Sequence, residues 1–352
     1  MSKVYIIFEN GRVFEGEGFG AQLESRGEAV FTTEVIDYMG TLTSPLCRGH
    51  IVVHAFPEIG NYGVITKDTP SDTCQAAAVV VRGLCDTPSN FRSEGTLDDF
   101  LKRSGVPGVF GVDTREITQI LRDCGTMRAV VTPTPPPDKL PPNYFDFTAP
   151  ACVTAERREL LPEGDFISHV ALLDFGASHD SIKDLLALGA KVTVLPPAAS
   201  ADEILALAPD GLLLSDGPGD PRPLDSAIQT ARLLLGKLPI FGIGLGHLVL
   251  ALGAGFNISK MKYGHHGSNQ PVRELSTGKV YITSQYHSYE ADSASVSDKA
   301  VISHVNLNDE GCEGLSYPGL NAFSLQFHPK PQPAGAVLEH SFEKFFAMMG
   351  GK

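Results

Sequence analysis

From residue 166 onward, short apolar runs alternate with helical segments, and this alternation limits the possible folds more than any other feature of the chain. The runs are HVALLDFG (169–176), KVTVLP (191–196), GLLLSDGPGDP (211–221) and LPIFGIGLG (238–246). Each is too short to be a helix and apolar on both faces, as a strand inside a covered parallel sheet must be. Between them lie helical stretches at Ser181–Leu188, Asp202–Ala208 and Leu224–Leu235, and Gly189 stops the first. An apolar helix follows residue 246. Strands separated by helices predict βαβ units and a parallel sheet covered on both sides. Ligands of such sheets bind at the carboxyl ends of the strands, where the glycine- and histidine-rich segments of this chain fall.

The first part of the chain reads differently. VYIIFENGRVFEGEGFG (4–20) alternates as a strand pair, with a hairpin turn at Glu9-Asn10-Gly11, where Asn-Gly tolerates positive φ at both central positions. Further β-like runs are Glu28–Thr33, His50–Phe56 and Ala76–Arg82. Helices are expected at Thr96–Ser104, capped by Thr96 with Asp98 and Asp99 in its first turn, and at Thr114–Cys124, with Ile117, Ile120 and Leu121 facing inward. Mixed strands with few helices predict a β-rich α/β module. Between the halves, TPTPPPDKLPPNYFDFTAP (132–150) is too proline-rich for a central strand or a helix interior. The expected division is a domain over 1–131, a linker over 132–165 and an α/β domain over 166–352. Glu156 to Glu159 read as a solvated stretch at the junction, and Phe345 and Phe346 as the packed face of a last helix.

Composition narrows the function classes. Twenty-eight Lys and Arg stand against 41 Asp and Glu among 352 residues, a formal charge of −13. That balance argues against a nucleic-acid binder or an anionic-membrane binder. No apolar run reaches the roughly 18 residues that span a bilayer, and the N-terminus lacks a signal-peptide core. A soluble, cytoplasmic protein is expected. Cys47, Cys74, Cys85, Cys124, Cys152 and Cys312 are scattered without C-x-x-C spacing, which predicts reduced thiols and no metal site.

Three segments point to chemistry. In Phe241-Gly242-Ile243-Gly244-Leu245-Gly246-His247 a strand meets a helix at a sharp turn, with glycines two positions either side of the centre. That is the steric pattern of a nucleophile elbow, G-x-Nuc-x-G. A Cys at its centre would gain thiolate character from the helix N-terminus. The central residue is Gly244, which carries no side chain. A Gly-rich phosphate loop is the competing reading, although G-I-G-L-G-H departs from G-x-G-x-x-G. The second segment, Leu214 to Pro221, is glycine-dense, and its amides could hold an oxyanion. The third, Ser324 to Lys330, places His328 just after a strand.

Together and in this order, these segments resemble class I (triad) glutamine amidotransferase domains. Over about Val4 to Phe346 the chain resembles the small, glutamine-hydrolysing subunit of carbamoyl-phosphate synthetase. The first half carries FENGRVFEGEGFG, GEAVFTTEVIDY, FPEIGNYGV and GVDTREITQILRDCGTM. The second carries LLDFG, LSDGPGDP, PIFGIGLGH, KMKYGHHGSNQPV and ITSQYHSYEAD. The resemblance implies an N-terminal domain that docks on a large subunit and a flavodoxin-like glutaminase domain. It also implies an assembly with that subunit, such as a heterodimer, serving arginine or pyrimidine biosynthesis. ATP and Mg would belong to the large subunit, leaving no cofactor in this chain.

The same resemblance shows what is missing. The family's elbow reads F-G-I-C-L-G-H-Q, a His returns the proton, and a Glu two residues later orients that His. Here the nucleophile position is Gly244, the base is retained as His328, and the orienting acid is replaced by Lys330. Polar glutamine contacts of the family fall on Leu46, Leu248, Tyr286 and Ser288, whereas Gly217, Gly219 and Leu245 match it. Each lost polar partner costs about 1–3 kcal/mol, so glutamine binding is doubtful. Three functional readings stay open at this point. One is a non-catalytic partner or regulator of an ammonia-using large subunit. Another is an active glutaminase using a substitute nucleophile, with Ser215 and Ser288 the nearest hydroxyls in sequence. The third is a re-used pocket lined by Tyr286, His287, Tyr289 and His328. A metal set of His265, His266, His287 and His328 is set aside, because the G-H-H-G segment also occurs in the ordinary family.

Overall fold

The computed structural model describes residues 2–147, 157–329 and 340–350. It divides into two compact units, Met1–Pro150 with Lys262–Gly267, and Ala151–Met261 with Ser268–Lys352. This differs from the linear division into 1–131, 132–165 and 166–352 in two ways. Residues 262–267 join the first unit because main-chain and ring contacts hold them there. Thr126 N–H donates to the Lys262 carbonyl at 2.9 Å, and the His266 ring lies 5.9 Å from that of His50. The expected linker is also partly structured. Thr132 ends the strand Met127–Thr132, and Arg158–Leu160 pairs antiparallel with Ala190–Leu195. Of the solvated stretch expected at Glu156–Glu159, Glu156 lies outside the described residues. Cys152 does too.

The first unit is a closed seven-stranded barrel. Its order is Lys3–Phe8, Val13–Gly20, Pro107–Phe110, Ala78–Val80, His50–His54, Ser25–Thr32 and Met127–Thr132, and the last pairs back with the first through Tyr5 and Thr132. Alternate residues fill the interior, among them Ile6 and Phe8, Ile51 and Val53, Ala78 and Val80, and Ala129 and Val131. The helix Thr114–Cys124 adds Ile117 and Leu121 to this core, while Ile120 packs at its margin. The helices Leu97–Ser104 and Thr114–Cys124 are capped by a side-chain hydroxyl and a side-chain carboxylate. Thr96 Oγ1 accepts from Asp99 N–H at 3.1 Å, and Asp113 Oδ1 accepts from Glu116 N–H at 3.0 Å. At the first hairpin only Gly11 takes positive φ (84°), and Asn10 instead turns its side chain to accept from Arg12 N–H. Leu46 is half-buried in the short 3-10 turn Pro45–Cys47.

The second unit holds a ten-stranded sheet. Five strands run parallel, in the spatial order Ala190–Leu195, Ser168–Leu173, Gly211–Leu214, Ile240–Ile243, Ala322–Leu325. Numbered along the chain, that order is 2-1-3-4-5, the flavodoxin-like arrangement. Cys312–Tyr317 continues it antiparallel, and Val280–Ala291, Ile258–Glu274 and Val301–Asn306 complete it. Two apolar layers cover the parallel part. One contains Leu173, Leu212, Leu214, Leu248 and Ala251, and the other Val170, Leu172, Leu213, Phe241 and Phe323. Leu212 and Leu213 face opposite layers, which explains why these runs are apolar throughout. Phe345 and Phe346, in the helix His340–Met348, are buried in the second layer. Among the described residues, no helix is long and apolar enough to cross a membrane.

In the first unit His54 is buried to 1% exposure, with no hydrogen-bond partner for either ring nitrogen among the described residues. Burial disfavours its cation and pulls its pKa from 6.5 down to about 4. The folded chain therefore holds this imidazole neutral, while the unfolded chain protonates it below pH 6.5. Its contribution to stability is complete above that pH and is lost as pH falls toward 4. We expect urea midpoints to drop over this range, each such imidazole contributing a slope of up to about 1.4 kcal/mol per pH unit. His54→Leu should flatten the slope, as measured by urea titrations at half-unit pH steps.

Candidate active site

The parallel order reverses direction between Ser168–Leu173 and Gly211–Leu214, and a crevice opens at such a switch point. The loops leaving these two strands carry the polar groups of the site. Asp174 Oδ1 accepts from the N–H groups of Gly176 and Ala177, at 2.9 and 2.8 Å, and so shapes the first loop. That loop leads to Ser178, which caps the helix His179–Ala187 by accepting from Ser181 N–H at 3.2 Å. The cap thus lies three residues before the expected helix start at Ser181. In the second loop, Ser215 Oγ accepts from Phe175 N–H at 2.9 Å and donates to the Asp216 carbonyl at 2.8 Å. Both capacities of this buried hydroxyl serve the loop, which leaves it badly placed as a nucleophile.

The elbow itself is present. Gly244 N–H donates to the Leu325 carbonyl at 2.9 Å, and the helix Leu245–Ala254 starts directly after it. Gly244 has φ 53° and ψ −113°, a conformation in which an L side chain is strained. A Cβ there would lie 3.0 Å from Asp216 Cβ. The flanking glycines answer to sterics. A Cβ on Gly246 would run into the Leu214 carbonyl, and one on Gly242 would come 2.7 Å from the Gly246 carbonyl. The backbone of a nucleophile turn is therefore built in full, and no side chain projects from its apex.

His328 follows the strand Ala322–Leu325, and its N–H donates to the Ser284 carbonyl at 3.3 Å. Its Nε2 lies 2.7 Å from Ser178 Oγ, 3.4 Å from Ser181 Oγ and 3.2 Å from Asp216 Oδ2. The Asp216 contact is at ion-pair distance without hydrogen-bond alignment. Asp216 is 3% exposed, and its Oδ1 accepts from Ser178 N–H at 3.3 Å. The other ring nitrogen of His328, Nδ1, is buried with no hydrogen-bond partner among the described residues. Lys330, at the orienting-acid position, lies outside the described residues.

The remaining predicted positions lie on several elements. Leu46 belongs to the first unit. Leu245 and Leu248 are 5% and 1% exposed and pack in the apolar layer of Leu173 and Leu214. Gly217 is forced to be glycine by the Phe175 carbonyl, 2.5 Å from where its Cβ would stand, and Gly219 takes φ 90°. Ser288 is buried and Tyr286 half-buried on the strand Val280–Ala291. The ring of Tyr289 lies 5.4 Å from the guanidinium of Arg222, which is itself paired with the Asp220 carboxylate. His287 engages Tyr289 O through Nδ1 and Gln285 Oε1 through Nε2, at 2.9 and 3.0 Å. Sequence reasoning missed Asp216 and Ser178. Asp216 lies within the loop read for its glycines, and Ser178 was legible as a helix cap, though not as a neighbour of His328.

Comparison with known proteins agrees with this architecture. Residues 6–131 match the family model "Carbamoyl-phosphate synthase small chain, CPSase domain", and residues 171–347 match "Glutamine amidotransferase class-I". The chain is 38% identical over 354 residues to the carbamoyl phosphate synthase pyrimidine-specific small chain of Bacillus subtilis, covering 98% of this chain and 95% of that one. It is also 38% identical over 371 residues to the carbamoyl phosphate synthase small chain of Syntrophotalea carbinolica, covering 99% and 98%. Over 357 residues it is 38% identical to that of Listeria monocytogenes serotype 4b, covering 100% and 98%.

The positive φ of Gly244 and the nearby Asp216 Cβ give a direct test of the elbow geometry. Gly244→Ala should destabilise the chain by about 1–3 kcal/mol, read as a lowered urea midpoint with an unchanged m-value. A neutral or stabilising outcome would mean that the turn relaxes out of this conformation.

Proposed function

The chain belongs to the carbamoyl phosphate synthase small-chain family, and from that premise we propose that it is a member without glutaminase chemistry. On this reading it acts as a non-catalytic partner or regulator of a large subunit that uses free ammonia. The observation that carries the reading is the apex of the elbow. A complete nucleophile turn ends in Gly244, so no sulfur or oxygen is present to attack an amide carbon. The retained base, His328, has no nucleophile at the apex to activate. Its nearest hydroxyl, Ser178, is already the cap of a helix.

The altered glutamine contacts support the same conclusion. Leu248 offers an apolar side chain sunk in the core, where it has nothing to give an amide or a carboxylate. The expected large-subunit partner follows from family membership, as does the assignment of ATP and Mg to that subunit. Nothing in this chain's elbow calls for a cofactor of its own.

The test is ammonia release from glutamine by the purified chain, alone and with a large subunit, beside His328→Ala. We expect the native chain and the control to be indistinguishable. Turnover above the control would sink the reading, since it would require a nucleophile other than the one the elbow once presented. Gly244→Cys/Lys330→Glu is expected to remain far below an intact family member, because Leu46, Leu248 and Tyr286 still replace polar contacts.

A further inference from the structure

We propose that Asp216 is a positioning residue that keeps the proton of His328 on Nε2, and so closes this site to thiol chemistry independently of Gly244. The proposal rests on the reading of the chain as lacking glutaminase chemistry. It adds a second cause, located in a residue that neither the family resemblance nor the elbow pattern singles out.

The argument starts from what surrounds one nitrogen. Three oxygens lie within 3.4 Å of His328 Nε2: Ser178 Oγ, Asp216 Oδ2 and Ser181 Oγ. Each hydroxyl can donate or accept a hydrogen bond, whereas an ionised carboxylate can only accept one, so the carboxylate is the group that discriminates between the tautomers. Asp216 is 3% exposed, and Oδ2 is buried without an aligned hydrogen bond. A buried carboxylate oxygen 3.2 Å from a bare imidazole nitrogen would bring two negative ends close together, even though they are not in line. An N–H on Nε2 replaces that repulsion with attraction, even out of line with Oδ2, and so offsets part of the cost of burying the charge. The carboxylate cannot easily turn away, because Oδ1 is held by Ser178 N–H at 3.3 Å. The geometry thus assigns the N–H of His328 to the side where a general base would need a lone pair.

The same carboxylate borders the elbow. A Cβ at position 244 would lie 3.0 Å from Asp216 Cβ and 3.5 Å from its Cα. A thiolate on that carbon would form beside a buried like charge, which disfavours it. In this family's chemistry a base must take a proton from a thiol and the thiolate must then persist. Asp216 opposes both steps.

Two measurements test the proposal. The first uses the native chain labelled with nitrogen-15 at histidine. Long-range nitrogen–proton correlation should show the His328 proton on Nε2 at neutral pH, and Asp216→Asn should shift the proton population toward Nδ1. A bare Nε2 in the native chain would overturn the proposal, whatever happens to any variant. The second follows the rate of alkylation of the new thiol in Gly244→Cys against pH, corrected with the parent chain for the native cysteines. The thiol is expected to titrate above the ordinary value of about 8.5. Adding Asp216→Asn should raise its alkylation rate at pH 7 by at least about tenfold. A thiol that titrates at or below the ordinary value with Asp216 in place, or that is unmoved by Asp216→Asn, would also overturn it. Glutamine turnover by the native chain would instead refute the functional reading, and the nitrogen-15 result would still report separately on Asp216.

Discussion

The second unit depends on one close approach. The helix Leu245–Ala254 meets the parallel sheet so tightly that the Gly246 N–H reaches the Ser215 carbonyl at 2.9 Å, and no Cβ fits between Gly246 and Leu214. This contact sets the angle at which the chain leaves Ile240–Ile243, and with it the positive φ of Gly244. It is a steric requirement of the backbone and does not depend on what the apex residue does chemically. The turn can therefore stand with glycine at its apex. Glycine there avoids the strain that a side chain would add.

The site gathers polar groups around one histidine. A carboxylate lies beside the imidazole on the Nε2 side, on a loop next to the elbow. The ring nitrogen on the opposite side has no hydrogen-bond partner among the described residues. Ser178 ties the first loop of the switch point to the second through its N–H, and its hydroxyl reaches His328 and the helix it caps. One serine thus caps a helix, steadies Asp216 and touches His328.

Much of this was legible in the sequence, for reasons that can be named. The parallel sheet was readable because strands buried on both faces must be apolar throughout, as Gly211–Leu214 is. The elbow was readable because its glycines answer to local sterics. The barrel was not, because its closure pairs Tyr5 with Thr132, and nothing in either strand marks the other as its partner. Residues 262–267 were assigned by position in the chain, yet main-chain hydrogen bonding gives them to the first unit. Asp216 escaped notice for a similar reason. Its meaning comes from His328, more than a hundred residues away in sequence, and from a bond to Ser178 that no spacing rule encodes. Leu248 was read as a replaced ligand contact, and the helix turns it into the apolar layer.

Closure of the barrel in the first unit limits how another molecule can engage it. A sheet with ends exposes rows of unused amide and carbonyl groups, which invite a further strand from outside. Here the seventh strand returns to the first, and each strand of the barrel has a neighbour on both sides. Strand addition to the barrel is therefore denied to any protein that docks on it. Recognition has to be read from side chains and loop tips, and these can diverge without disturbing the main-chain ladder beneath them.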